Sequence, residues 1–205
     1  MASKGAFSIV LNMYTDVIKQ LSLQSFVVID HFITPSTCQN IINYFALKKL
    51  KPSQIGNLQN KTRNQEIRSD QTYWLQPEEE NQPDIKLLLE QLENLKTLLN
   101  REFYFGIKRI ESHFAHYPRG SFYKKHQDQL RNSQARRVTF INYLNSPIGG
   151  ELVIYNPLDK NSILTTISPC EGKLVLFLTD ELFHEVLMAQ SDRYSITGWF
   201  RNDEV

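Results

Sequence analysis

The sequence predicts an α+β fold in which helices come first and short antiparallel strands follow. Leucines at helical spacing dominate residues 84–100. After Asn100, short runs of β-branched and aromatic residues alternate with turn signals. Helices that come first and strands that follow indicate an α+β domain. About eight such runs are typical of an antiparallel barrel or jelly roll, and we expect one at the core.

The N-terminal segment predicts two helices on either side of a buried strand. Apolar residues recur at helical spacing in the first helix, at Val10, Met13, Val17 and Leu21. The apolar run FVVID at 26–30 then predicts a buried strand. Thr34 followed by Pro35 is typical of a helix start, because threonine caps the first turn and proline fits its first position. The buried face of that second helix is expected at Cys38, Ile42 and Phe45.

Residues 51–100 predict a loop, a strand, a turn and a helix in that order. The polar, aperiodic stretch 51–66 is too long for a simple turn and is expected to be a loop. Residues 67–75 (IRSDQTYWL) are expected to form a strand, and the acidic stretch 76–82 a solvated turn. From Asp84 to Asn100 a single apolar stripe predicts a helix that faces the core, with Leu88, Leu92, Leu95 and Leu99 on the stripe.

Length and composition favour one domain covering residues 1–205, with mainly helical residues 1–100 and a β-rich core in residues 101–205. The net charge of +1 provides no overall field for nucleic acid, so we expect no such partner. No stretch reaches the roughly 20 apolar residues of a membrane helix, and polar residues interrupt the N-terminal run of a signal peptide. Cys38 and Cys170 form no cysteine framework and are expected to be small core residues. We expect a cytoplasmic protein without a membrane partner, and a monomer.

Three residues in the β-rich half form a candidate metal site. His126 and Asp128 lie two positions apart in a short strand or at its end, so their side chains point to one face. His184, in the apolar strand FHEVL, is flanked like an inward-facing residue. Two histidines and one carboxylate are the facial ligand set that holds non-haem Fe(II) and leaves open positions for a 2-oxo acid and O2.

Arg193 is a candidate for the cation that such a cosubstrate needs. It follows His184 by nine positions, beyond the turn signal at residues 190–192, so a hairpin would return its side chain towards the metal strand. A planar guanidinium can hold a carboxylate through two parallel hydrogen bonds. Thr197 falls on the same strand face and could add a hydroxyl donor.

Each candidate also has a structural interpretation. An exposed turn could place His126 and Asp128 in a surface ion pair, and Arg193 could pair with a nearby acid, Asp192 or Glu185. Three other histidines are expected to be structural and not metal ligands: His31, His113 and His116. Four cations near the site are interpreted as a solvated face or as a basic rim for an acidic partner: Lys124, Lys125, Arg136 and Arg137.

The motifs around these residues resemble a known family. The order His126-x-Asp128, His184 and Arg193 is similar to that of 2-oxoglutarate oxygenases, whose fold is a double-stranded β-helix of the jelly-roll or cupin type. The local sequences narrow the resemblance to prolyl 4-hydroxylases of the oxygen-sensing type, especially their bacterial relatives: HFAHYPRGSFYKKHQDQ, RRVTFINYLN, GGELVIY, FHEVL and DRYSITGWF. The similarity extends over roughly residues 67–201, and the N-terminal helices would support the core.

The resemblance implies a role for each site residue. Fe(II) would be held by His126, Asp128 and His184, and 2-oxoglutarate by Arg193, Tyr143, Tyr117 and Thr197. Contacts to the substrate, beside a mobile loop before residue 67, are expected from Arg68, Asp70, Tyr123 and Trp199. An apolar wall that limits stray oxidation is expected from Leu152, Ile154, Leu176, Leu178 and Trp199. O2 and ascorbate complete the expected set of cosubstrates.

The function that the resemblance implies is hydroxylation of a proline in a protein, with release of succinate and CO2. Elongation factor Tu, a translation factor, is the candidate substrate. Hydroxylation of a small molecule or of another protein side chain is the alternative. Nucleic-acid demethylases place the cosubstrate arginine farther beyond the last histidine than Arg193 lies, and halogenases lack the carboxylate that Asp128 supplies. A binding module without turnover is disfavoured, because the ligand set and Arg193 are complete.

Overall fold

Helices cover one side of a large antiparallel sheet, and a smaller sheet packs on the other side. The computed structural model describes residues 4–54, 62–129 and 134–204, with side chains from Tyr14 onwards. The helices are α1 (Lys4–Gln24), α2 (Pro35–Ala46), α3 (Pro77–Glu80) and α4 (Pro83–Phe103). The strands are β1 (Phe26–Ile29), β2 (Lys51–Pro52), β3 (Gln71–Trp74), β4 (Arg109–Tyr117), β5 (Tyr123–His126), β6 (Arg136–Tyr143), β7 (Leu152–Tyr155), β8 (Ile163–Ile167), β9 (Leu174–Leu178), β10 (His184–Val186) and β11 (Arg193–Arg201).

The two sheets confirm the predicted α+β fold with a double-stranded β-helix core. Seven strands form the larger sheet in the order β1-β9-β6-β11-β4-β3-β2, and four form the smaller sheet in the order β5-β10-β7-β8. The pairings between these strands are antiparallel. Strands adjacent in a sheet are distant in sequence, which brings β5 and β10 side by side at the site described below.

Alternate side chains of the large sheet serve two separate cores. On β9, Val175 and Phe177 pack with residues of the small sheet, whereas Leu176 packs with the helices. Leu152 and Ile154 lie in the inner cluster, as expected for an apolar wall. The same expectation is wrong for Leu176 and Leu178, which lie on the helix side. The run LVLFL is apolar on both faces, so its pattern alone does not identify the inner one.

Helix α4 is the main support on the helix side of the large sheet. The four leucines of its predicted stripe are all fully buried, which confirms the prediction. The helix extends to Phe103, and Tyr104 ends it in a left-handed conformation with φ of 53°. In α1, Val17 and Leu21 are buried as predicted, while the side chains of Val10 and Met13 lie outside the described part.

Three local predictions need correction. The acidic stretch 76–82 contains the short helix α3 instead of a solvated turn, because the buried Glu79 accepts hydrogen bonds from the backbone of Gln76 and from Lys48. The predicted strand 67–75 is regular only over β3, and Arg68 forms an isolated bridge with Tyr123. Residues 55–61 of the expected loop lie outside the described residues.

The remaining predictions concern α2, the two cysteines and membrane-spanning helices. Thr34 caps α2, since its hydroxyl oxygen accepts a hydrogen bond from the backbone N–H of Thr37. Cys38 is buried as expected, but Cys170 is exposed, so its assignment to the core is wrong. Within the described ranges, none of the helices combines the length and the apolar character needed to cross a membrane.

Candidate active site

The three candidate metal ligands meet where the small sheet joins β5 to β10. His126, the last residue of β5, is the direct cross-strand partner of His184, the first residue of β10, so their side chains lie next to each other. Asp128 follows β5 by two residues and completes the group. The ligand atoms of all three residues lie within 4.8 Å of one another. Asp128 Oδ1 is 3.4 Å from Nε2 of His126, and Asp128 Oδ2 is 3.7 Å from Nε2 of His184.

The electrostatics of this cluster favour the protonation states that bind a metal. Burial alone would raise the pKa of Asp128, but the adjacent His184, His126 and Arg136 hold it well below its ordinary value. Burial and the neighbouring His126 lower the pKa of His184 to about 4. At neutral pH the group therefore offers a carboxylate and a neutral imidazole, which are the forms that bind a metal.

The orientation of His126 is set by the backbone and by aromatic stacking. Its Nδ1 lies 2.8 Å from the carbonyl oxygen of Lys124 and must donate to it, which leaves Nε2 free to act as a ligand atom. Its ring stacks on Tyr123 at 3.5 Å between centroids. His126 and Asp128 are therefore not an exposed surface ion pair: their side chains are 16% and 10% exposed.

Arg193 occupies a buried position at the far end of the inner face of β11. It is 1% exposed, and its guanidinium carbon lies 4.8 Å from the ring centroid of Tyr117 and 4.9 Å from that of Tyr143. The acids considered as alternative partners are engaged elsewhere: Asp192 lies beside His116, and Glu185 accepts a hydrogen bond from Tyr155. Among the described residues, no carboxylate pairs with Arg193.

Unsatisfied polar atoms at this position fit a bound carboxylate. Nε of Arg193 and the hydroxyl of Tyr143 are buried without a hydrogen-bond partner in the described part of the chain. Buried polar groups are normally paired, so such a pair of donors indicates a missing acceptor. Burial raises the pKa of Tyr143 although Arg193 opposes the rise, which keeps the hydroxyl a donor. The distal carboxylate of 2-oxoglutarate is an acceptor of the required kind.

Thr197 lies on the same face of β11 as Arg193, as predicted, because every second side chain of the strand, at residues 193, 195 and 197, points to the inner face. Its hydroxyl is 3.1 Å from that of Ser195. Gly150 faces this region from the segment before β7, and a Cβ atom there would lie 2.8 Å from Cδ of Arg193. Gly150 is thus a residue that the sequence analysis missed, and the GG pair before a strand was its only signal.

The four residues assigned to substrate contact separate into two groups. In the first, Arg68 donates two hydrogen bonds to Asp70, at 2.8 and 2.6 Å, and Ser53 donates a further one. The Arg68 guanidinium lies 4.2 Å from the centroid of the Tyr123 ring, which in turn stacks on His126. Arg68 therefore connects the segment before β3 to a candidate metal ligand.

Trp199 belongs to the second group, and it contacts Asp128 directly. Its indole N–H donates to Oδ2 of Asp128 at 2.9 Å. Thr139, which the sequence analysis did not single out, donates to the same oxygen at 3.0 Å. Because Thr139 and Trp199 are direct partners on β6 and β11, the strand register was the signal that could have identified it.

Only part of the candidate basic rim is a solvated face: Lys124 is exposed, whereas Lys125, Arg136 and Arg137 are partly buried. The Arg136 guanidinium lies 3.5 Å from the centroid of the Trp199 ring, and Lys125 lies 3.6 Å from that of Tyr155. Of the three histidines expected to be structural, none belongs to the metal-ligand cluster found among the described residues. His113 is buried, and burial together with Arg68 lowers its pKa to about 3. It lies between Trp74 and Trp199 on the large sheet.

Comparison with known proteins finds a family model that matches the segment carrying His126, Asp128, His184 and Arg193. Residues 112–201 match the 2OG-Fe(II) oxygenase superfamily. Human Prolyl hydroxylase EGLN3 is 29% identical over 146 residues, which are 67% of this chain and 60% of that protein.

Two solved structures extend the comparison to nearly the whole chain. A Pseudomonas putida prolyl-4-hydroxylase is 29% identical with a TM-score of 0.80, and the match covers 94% of this chain and 100% of that one. A Trichoplax adhaerens prolyl hydroxylase in complex with a hypoxia inducible factor peptide fragment is 27% identical with a TM-score of 0.85, and the match covers 98% and 94%. Residues 112–201 therefore match a 2OG-Fe(II) oxygenase domain, and the chain is similar to prolyl hydroxylases over most of its length.

Proposed function

We propose that the protein is a 2-oxoglutarate- and Fe(II)-dependent dioxygenase that hydroxylates a prolyl residue of a protein substrate, with release of succinate and CO2. The observation that carries this proposal is the largely buried cluster of His126, Asp128 and His184, together with Arg193, which is 1% exposed and whose Nε has no hydrogen-bond partner among the described residues. A single domain over residues 1–205, acting as a monomer, would be sufficient for this activity. Both cysteines are free, which supports a reducing, cytoplasmic compartment.

In this proposal the chain holds the metal and orients the cosubstrate. His126, Asp128 and His184 would be the metal ligands. The chemistry that Fe(II) supplies when bound is activation of O2 for hydroxylation of a C–H bond, coupled to decarboxylation of 2-oxoglutarate, with ascorbate as the accessory reductant. Arg193 and Tyr143 would bind the distal carboxylate through the donors that lack partners, while Tyr117 and Thr197 complete the pocket.

The inner core would exclude water from the reacting atoms. Four apolar side chains between the two sheets are fully buried, at 0% exposure: Leu152, Ile154, Val175 and Phe177. The Phe177 ring meets His184 edge-on at 4.7 Å between centroids. An apolar surround of this kind strengthens the interaction between Arg193 and a carboxylate, because the local dielectric constant is low.

A prolyl residue of a protein is the proposed substrate because the homologues are prolyl hydroxylases. The Trichoplax adhaerens relative holds a peptide fragment, which supports a peptide segment as the bound form. Arg68, Asp70, Tyr123 and Trp199 are the proposed residues around it, beside the metal ligands. Elongation factor Tu is the candidate partner with which to begin.

The test is peptide mapping of elongation factor Tu after incubation with the protein, Fe(II), 2-oxoglutarate and ascorbate. We expect one peptide to gain the mass of one oxygen atom on a proline, and we expect Asp128→Ala to leave that peptide unmodified. An oxygen on a different residue type, or only on small molecules, would overturn the prolyl assignment. If elongation factor Tu is unmodified but another protein of a bacterial lysate gains hydroxyproline, the proposed substrate is wrong, whereas the proposed prolyl hydroxylation is supported.

A further inference from the structure

The two oxygens of the Asp128 carboxylate have different surroundings. Oδ2 accepts hydrogen bonds from the indole N–H of Trp199, at 2.9 Å, and from the hydroxyl of Thr139, at 3.0 Å. Oδ1 faces Nε2 of His126 at 3.4 Å, while Oδ2 is 3.7 Å from Nε2 of His184, beyond hydrogen-bond distance. A carboxylate oxygen has about two lone-pair sites, and both sites of Oδ2 are therefore occupied by donors of the chain.

Each of the two donors is itself held in place. The hydroxyl of Thr139 lies 3.1 Å from that of Thr179, so Thr179 donates to Thr139 while Thr139 donates to Asp128. Both threonines are buried, at 1% and 0% exposure. This short chain of hydrogen bonds orients the Thr139 hydroxyl towards the carboxylate.

Arg136 contacts both Trp199, which is the second donor, and the backbone of Asp128. Its guanidinium carbon lies 3.5 Å from the centroid of the Trp199 ring, and its Nη1 donates to the carbonyl oxygen of Asp128 at 3.1 Å. Trp199 is 7% exposed, so its ring has little freedom to rotate away. The arrangement is a rigid frame on one side of the carboxylate.

We propose that Trp199 and Thr139 are positioning residues that engage Oδ2 of Asp128, so that Oδ1 alone is left as a metal ligand atom. This inference rests on the proposed metal site. A carboxylate that bound through both oxygens would occupy one more coordination position, and the facial ligand set works because positions stay open for the cosubstrate and O2. Trp199, expected to be an apolar wall or a substrate contact, thereby acquires a role through Asp128.

The direct test is titration of the metal-free, full-length protein with Co(II), followed by its visible spectrum. We expect Trp199→Phe and Thr139→Val each to weaken Co(II) binding about 10- to 100-fold, as removal of partners of metal ligands usually does. We also expect the Co(II) spectrum to change, because the freed Oδ2 can bind the metal. Thr139→Ser keeps the hydroxyl and should retain affinity and spectrum near those of the wild type.

Trp74→Phe is the matched control for the loss of an indole. Trp74 stacks on Trp199 at 6.1 Å between centroids and is 41% exposed, and its variant should bind Co(II) like the wild type. Wild-type affinity and spectrum in both Trp199→Phe and Thr139→Val would overturn the inference, as would an equal loss in Trp74→Phe. A wild-type protein that does not bind Co(II) would instead contradict the proposed metal site itself.

Discussion

The side chain of Arg193 passes so close to Gly150 that a Cβ atom on the glycine would lie 2.8 Å from Cδ of the arginine. Gly150 also has a φ of 73°, which a residue with a side chain adopts only at a cost. The path of the arginine towards Tyr117 and Tyr143 therefore depends on the absence of a side chain at residue 150. The glycine shapes the candidate cosubstrate pocket without touching the cosubstrate.

Gly150→Ala is expected to displace Arg193 and to raise the KM for 2-oxoglutarate roughly 10-fold or more, since small misplacements of a binding group have large effects. The affinity for the metal should change little, because the metal ligands lie on other strands. Gly106→Ala is the control: Gly106 has a φ of 63°, and a Cβ there meets nothing within 4 Å. An equal rise of KM in both variants would show that backbone strain, and not contact with Arg193, is responsible.

Arg193→Ala is expected to weaken 2-oxoglutarate binding roughly 100-fold or more, because a buried carboxylate loses its charged partner. Tyr143→Phe removes only a hydroxyl and should have a smaller effect in the same direction. Isothermal titration of the Mn(II)-loaded protein with 2-oxoglutarate measures both. Arg101→Ala, which changes an exposed arginine of α4, should match the wild type. Unchanged affinity in Arg193→Ala would remove this residue from the pocket.

Buried histidines are expected to make the metal-free protein lose stability in mild acid. The pKa values of His184 and His113 are lowered from 6.5 to about 4 and about 3. As the pH falls below 6.5, the unfolded chain takes up protons at these residues while the folded chain does not, so unfolding is favoured. Each histidine contributes a slope of up to about 1.4 kcal/mol per pH unit.

Urea unfolding at several pH values measures this dependence. Between about pH 6 and pH 4.5, the free energy of unfolding should fall more gently in His113→Phe than in the wild type, because one of the two histidines no longer titrates. The same dependence on pH in both proteins would contradict the assignment of His113 as a neutral, buried ring.

Glu79→Gln is expected to lower the free energy of unfolding by about 1.5–3 kcal/mol, the usual contribution of hydrogen bonds to a charged group. Glu79 is 2% exposed and accepts from Lys48 at 2.8 Å and from Tyr73 at 3.2 Å. Chemical denaturation measures the loss, and Glu78→Gln at the exposed neighbour is the control. Equal stability of the two variants would show that burial of the Glu79 charge contributes nothing.

The metal cluster and α4 could be predicted because their signals are local or tied to fixed spacings. The stripe of leucines in α4 has the helical period, and the two-residue spacing of His126 and Asp128 keeps both at the end of one short strand. The partner His184 lies far along the chain, but the apolar strand around it indicated an inward-facing residue, and the resemblance then implied the same position.

The features that could not be predicted depend on which strands and helices become neighbours. The acidic run around Glu79 indicates solvation until Lys48, 31 residues away, is brought to it. The sequence alone suggested an apolar wall for Trp199. Its indole N–H reaches Asp128 only because β11 pairs with β6 and Asp128 lies opposite. The inner face of β9 likewise requires knowledge of the layers on both sides.

The most direct test of the proposed activity is the conversion of 2-oxoglutarate to succinate by the wild type and by Asp128→Ala. The reactions contain Fe(II), ascorbate and either elongation factor Tu or fractions of a bacterial lysate, and succinate is quantified. The wild type should form succinate only when Fe(II) is present, and Asp128→Ala should form none, because the metal loses a ligand. Absence of succinate with every fraction, or equal amounts from the two proteins, would contradict the proposed site and its function.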